Sequence, residues 1–193
     1  EVELREKKAR ADEQMRLYDK IREKVEPQLI KLENMIASDD SEVSAKEKLS
    51  QICVISAYIK RLGNLILLSE EFSFLPVREL EYCLRESVEN LRLCSVACSL
   101  SCRCDGIITK EHAVSLYTAF EIVVEAALPT ASALMVDLCM VNGIPELAVN
   151  ISCDQDAIRR QKEALDKTGV HSDFVQQDSD SHIVMRFPER RAV

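Results

Sequence analysis

Leu4, Ala11, Tyr18, Val25 and Leu32 recur every seven residues through the first part of the chain. At 3.6 residues per turn, a seven-residue beat keeps returning to one side of a helix, so residues 3 to 37 read as a single long helix with an apolar stripe. Met15, Leu29 and Ile36, with Arg22 between them, keep the same beat in a second row, and Ile21 fills in beside it. A stripe that wide needs a partner. After the polar break Ser38-Asp39-Asp40-Ser41, a second stripe runs through Leu49, Ile52, Ile55, Ile59, Leu62 and Ile66. Two long helices joined by a short polar loop make an antiparallel hairpin. Alone, it leaves part of both stripes open, so pairing of residues 3–70 with a second copy into a four-helix bundle is expected.

The pattern changes after residue 70. Glu71 to Pro76 reads as a connector, and Leu80, Leu84, Val88 and Leu91 mark a helix from Arg78 to Leu93. Cys94, Val96, Cys98 and Leu100 then alternate with Ser95, Ala97, Ser99 and Ser101, the period of two expected of a strand. Thr109 is placed to cap a helix that runs to Leu128 and is stopped by Pro129. Asn142-Gly143 sits between the apolar runs Ala133–Val141 and Leu147–Cys153 and signals a hairpin. Asp154 can cap a helix to Thr168, with Gly169 in the C′ position. Val170 to Gln177 and His182 to Phe187 read as two more strands. The expected class is α+β: a helical hairpin domain at 1–70, then an α/β two-layer sandwich at 71–193.

Charge and glycine usage exclude several functions. The chain holds 25 basic and 33 acidic residues, net −8, which disfavours a nucleic-acid grip built on clustered Lys and Arg. The first 70 residues are balanced at 13 basic and 14 acidic, leaving 12 and 19 for the rest. Only four glycines occur in 193 residues, at 63, 106, 143 and 169, so a glycine-rich phosphate loop is not available. No run of 18 or more uncharged apolar residues is present, so no membrane span is expected. The chain opens on Glu1 rather than Met and is expected to be a piece of a longer protein.

A hairpin of long dimerising helices followed by an α/β sandwich in this order resembles the cytoplasmic core of a bacterial sensor histidine kinase. That resemblance implies a dimerisation and phosphoacceptor hairpin and a Bergerat-type ATP-binding domain. The family carries a phosphoacceptor His on its first helix, followed by Glu or Asp, often with Pro five residues after the His. Here Arg22 stands where the His would be, with Glu23 and Pro27 in the matching places. A guanidinium stays protonated and offers no lone pair to capture a phosphoryl group. The three histidines, His112, His171 and His182, all lie in the second half.

At the nucleotide site the family has a Glu and, one turn on, a Mg²⁺-holding Asn. This chain has Glu121 and Glu125 there, and the adenine-binding Asp would be Asp154. The family's glycine boxes and lid have no counterpart, because Asp154 runs straight into a helix. The residues alone also allow plainer readings: Arg22 as a solvated arginine, Glu121 and Glu125 on one solvent-facing helix edge, and Asp154 as a helix cap.

Cys94, Cys98, Cys102 and Cys104 lack the paired spacing of a zinc site and read as buried thiols, so no metal is expected. No Ser-His-Asp or Cys-His set can be picked out. The leading expectation is a catalytically deficient, kinase-like signalling module in the cytoplasm, on its own or as the cytoplasmic part of a membrane-anchored protein. It would act as a homodimer, hold no ATP, Mg²⁺ or other cofactor, and dock a response regulator or partner kinase along Arg22, Pro27 and Gln28. The alternatives are a histidine phosphotransferase or active kinase in which Arg22 replaces the His, and an unrelated oligomerisation scaffold.

Overall fold

The computed structural model describes residues 2–38, 44–177 and 180–188. Two long helices lead, α1 (Val2–Ala37) and α2 (Ala45–Glu71), and Asp39 to Ser41 of the expected loop lie outside the described residues. The Ser44 side chain accepts from the Glu47 N–H and the Glu47 carboxylate accepts from the Ser44 N–H, a reciprocal cap that starts α2 four residues before its apolar stripe. The two helices run antiparallel. Arg16 and Lys20 of α1 meet Glu70 at the far end of α2, and Lys48 near its start reaches the Ser38 carbonyl. At about 1.5 Å per residue, α1 is longer than α2 by roughly 13 Å, and its first residues project past the pairing at Glu70.

The inner face of α1 is not the row that the seven-residue beat marks most clearly. Leu17, Ile21, Gln28, Leu32 and Met35 are half-buried around Val25, while Leu4, Met15, Tyr18, Leu29 and Ile36 are exposed. Only Val25 and Leu32 of the first row turn inward. The stripe is wider than one hairpin can cover, so α2 takes one edge of it and leaves the other outside.

After α2 come β1 (Phe74–Pro76), α3 (Val77–Leu93), β2 (Ala97–Cys102), β3 (Ile107–Thr109) and α4 (Lys110–Ala127). Then follow β4 (Ala133–Val141), β5 (Ile144–Ser152), α5 (Gln155–Arg159), α6 (Lys162–Lys167), β6 (His171–Gln177) and β7 (Asp180–Arg186). The main sheet has the order β2-β4-β5-β7-β6, parallel between β2 and β4 and antiparallel elsewhere. A hairpin turn with φ of 52° at Asn142 and 77° at Gly143 joins β4 to β5 directly, so β5 begins at Ile144 rather than Leu147. The small β1–β3 ladder falls within stretches that read as connectors, because three residues show no period.

Other boundaries differ for local reasons. Cys94 and Val96 do not join a strand: Cys94 caps α3, and Ser95, at φ 67°, turns the chain before β2. The single helix expected from Asp154 to Thr168 is two short ones, α5 and α6, separated at Arg160 and Gln161. Thr109, Asp154 and Gly169 act as anticipated: Thr109 accepts from the His112 N–H, Asp154 accepts from the Asp156 N–H, and Gly169 has φ 78°.

The core is one aliphatic cluster that runs from α2 through α3 and α4 to the inner face of the sheet. Val54, Tyr58, Leu62 and Leu65 of α2 belong to it together with Leu80, Leu84, Phe120, Leu138 and Val149. By length and composition α2 could cross a membrane. In this fold its buried residues are instead packed against α1, α3 and α4, while Leu49 and Leu67 stay exposed.

Candidate functional site

Tyr117, Glu121 and Glu125 are spaced at i, i+4 and i+8 on α4, one above another on the face that meets the helical hairpin. At the inner end, Tyr117 Oη lies 3.0 Å from Ser87 Oγ of α3. Its ring stands 5.4 Å from that of Tyr58 on α2, tilted by 39°. At the outer end, Lys31 Nζ of α1 donates to Glu125 Oε2 at 2.6 Å, and Gln28 Nε2 donates to Glu125 Oε1 at 3.5 Å.

Glu121 lies between them. It is 1% exposed, and neither carboxylate oxygen has a hydrogen-bond partner among the described residues. Burial pushes this carboxyl well above the ordinary range, the negative charge of Glu125 adds to the rise, and Lys31 opposes it. A solvent-facing edge for Glu121 and Glu125 is therefore not what the fold makes: α2 packs on α4, Lys31 and Gln28 of α1 hold Glu125, and Glu121 is shut inside, where burial favours its neutral form. Burial also raises the Tyr58 and Tyr117 hydroxyls.

Glu121, Glu125 and Asp154 do not converge on one described cavity. Glu125 borders a hollow of about 320 Å³ with Gln28, Lys31, Ile122, Ala126 and Gln161. Asp154 is exposed, caps α5, and donates its N–H to Thr130 Oγ1 at 2.9 Å. On α1, Arg22, Glu23 and Pro27 are exposed, whereas Gln28 is half-buried against Glu125. Pro27 lies inside the helix without an N–H to give to the Glu23 carbonyl, so the ladder is interrupted between the matched positions.

The four clustered cysteines are half-buried rather than buried. Cys102 Sγ and Cys104 Sγ are 3.8 Å apart, and burial together with the neighbouring Cys102 thiol pushes Cys104 up to about 12. No group of three or more His, Cys, Asp or Glu side chains suited to a metal occurs among the described residues. The histidines are spread over separate places: His112 stacks on Phe187 at 4.0 Å, His171 pairs with Asp173, and His182 meets Asn150. Nothing in the local pattern around Lys31, Tyr58 or Ser87 marks them as part of this site. The signal available for them was the i, i+4 run of polar side chains 117, 121 and 125 in a helix that is otherwise apolar on that face.

No family model matches the chain, and no curated protein matches it. Solved structures do. The histidine kinase domain of a blue-light-activated histidine kinase from Erythrobacter litoralis aligns with a TM-score of 0.51 at 12% identity, covering 86% of this chain and 95% of that one. A longer structure of the Erythrobacter litoralis kinase aligns with the same TM-score at 13% identity, over 87% of this chain and 59% of that one. A bacterial phosphotransferase aligns at 9% identity with a TM-score of 0.49, over 88% and 93% of the two chains. At these identities the likeness is one of fold, and the fold is histidine-kinase-like: long helices followed by a mixed five-stranded sheet.

Proposed function

We propose that this chain is a dimeric signalling module of the two-component kind that transmits a conformational change to a protein partner and does not carry out phosphoryl transfer itself. The observation that carries this reading is the state of α4. Glu121 is closed into the core and Glu125 is engaged by Lys31, so neither carboxylate is presented to a nucleotide.

Two further features support it. Arg22 is exposed at the position where the resemblance implies a phosphoacceptor, and it has no nucleophilic lone pair. The exposed row Met15, Tyr18, Leu29 and Ile36 on α1 gives a second copy an apolar face to cover. The partner is a response regulator or a kinase that docks along α1 near Arg22 and Pro27, in the cytoplasm of a bacterium. Asp154 serves as a helix cap in this reading and binds no adenine.

The test is phosphorylation. Incubation with labelled Mg-ATP leaves the wild-type chain unlabelled, and Arg22→His remains unlabelled with ATP, because the α4 carboxylates are still closed in. Labelling of Arg22→His by a phosphorylated regulator, but not by ATP, would replace this reading with a phosphotransferase. Labelling of the wild type would overturn it.

A further inference from the structure

A fully buried carboxyl with two unpartnered oxygens costs free energy wherever it sits, and it costs far more if it is ionised. Glu121 is held in that condition by the elements that cover it. The groups facing it are Lys31 from α1, Tyr58 from α2, and Tyr117 and Glu125 from its own helix, with Ser87 of α3 behind Tyr117. None of these donates a hydrogen bond to Glu121. The hold of α1 on the fold is also light. Val25 is the one buried residue among the described residues of α1, whereas α2 buries nine. Pro27 interrupts the α1 hydrogen-bond ladder next to Gln28 and Lys31, the two residues that grip Glu125.

We propose that α1 is a proton-linked latch over α4. While Lys31 and Gln28 hold Glu125, the Glu121 carboxyl stays dry and protonated. When α1 lifts, water reaches Glu121 and it releases its proton. The step is balanced as an acid dissociation, with the proton going to solvent and no covalent bond to carbon changed. Lifting also frees Lys31 from Glu125, so the opened α4 face carries two unpaired carboxylates where the closed form has one buried and one ion-paired. The latch is a property of the fold and holds whether or not the chain relays a signal.

The sign follows from the direction of the shift. Glu121 binds its proton more tightly when closed than when open, so closure is fully favoured below the ordinary carboxylate range. It weakens as pH rises toward the elevated closed-state value, by up to about tenfold in the opening equilibrium per pH unit. Deuterium exchange of the α1 amides from 23 to 32, read by mass spectrometry from about pH 6 to about pH 8 and divided by the intrinsic exchange rates, measures that equilibrium. The opening constant of the wild type rises with pH, and that of Glu121→Gln does not. Lys31→Gln opens α1 more at every pH and leaves the β5 amides as protected as in the wild type. If Glu121→Gln fails to fold, the wild-type carboxylic-acid band in the infrared at neutral pH still tests the protonated state. A flat wild-type profile, a slope retained in Glu121→Gln, α1 exchange unchanged in Lys31→Gln, or absence of the carboxylic-acid band would each overturn the latch.

Discussion

Ser87 Oγ and Tyr117 Oη, 3.0 Å apart in the core, join α3 to α4 through a pair of hydroxyls that water cannot reach. Removing one partner leaves the other buried without a hydrogen bond, at a cost of about 1–3 kcal/mol. Tyr117→Phe and Ser87→Ala should each lower the denaturant midpoint by that order. The double variant should cost less than the sum of the two, since the second change removes a group that is already orphaned. Strict additivity in a double-mutant cycle would show that the two hydroxyls do not interact.

Glu70 is held down to about 2 by its hydrogen bonds to Lys20 and Arg16. A carboxylate depressed in the folded state contributes stability above its ordinary value, near 4.5, and that contribution is lost as pH falls toward 2. The pairing is at the surface and screened by salt, so the effect is small and shrinks with ionic strength. Glu70→Gln should flatten this part of the acid limb in a pH series of melting temperatures and change little at neutral pH. An unchanged acid limb would place the ion pair outside the stability of the hairpin.

Gly169 ends α6 at φ 78°, and a Cβ there would meet nothing within 4 Å. Any cost of substitution is therefore conformational and not steric. Gly169→Ala should destabilise by about 1 kcal/mol, and Gly169→Val by somewhat more. Thermal unfolding at one protein concentration reads both. A stabilising Gly169→Ala would contradict the left-handed geometry.

Met15 and Tyr18 are 64% and 67% exposed on α1, on the row proposed to meet a second copy. Light scattering should give the wild type the mass of a dimer and Met15→Glu with Tyr18→Glu the mass of a monomer. Because neither side chain is packed within its own chain, the far-ultraviolet circular dichroism of the variant should match the wild type. A wild-type monomer would remove the dimer from the proposal.

Much of this architecture is written locally. The seven-residue beat gives α1, the Asn142-Gly143 pair gives the β4–β5 turn, and Thr109, Asp154 and Gly169 mark helix ends through backbone needs that neighbouring residues meet. What local pattern does not carry is which edge of a stripe faces inward. Leu17 and Met35 pack inside while Met15 and Ile36 stay out, a choice made by where α2 lies. Glu121 shows the same limit at the site. By residue type it belongs at a surface or a metal, and only the tertiary packing of other elements around α4 encloses it. Lys31 and Glu125 are 94 residues apart in sequence, so no spacing rule connects them. The short β1–β3 ladder and the break between α5 and α6 were hidden for a simpler reason: each piece is too short to show a period.

Calorimetric titration of the purified protein with Mg-ATP bears most directly on whether a kinase-like fold has been kept without its phosphoryl chemistry. With Glu121 enclosed, Glu125 held by Lys31 and no glycine between Cys153 and Gly169, no saturable heat of binding should appear through the micromolar range. Saturable micromolar binding would contradict it.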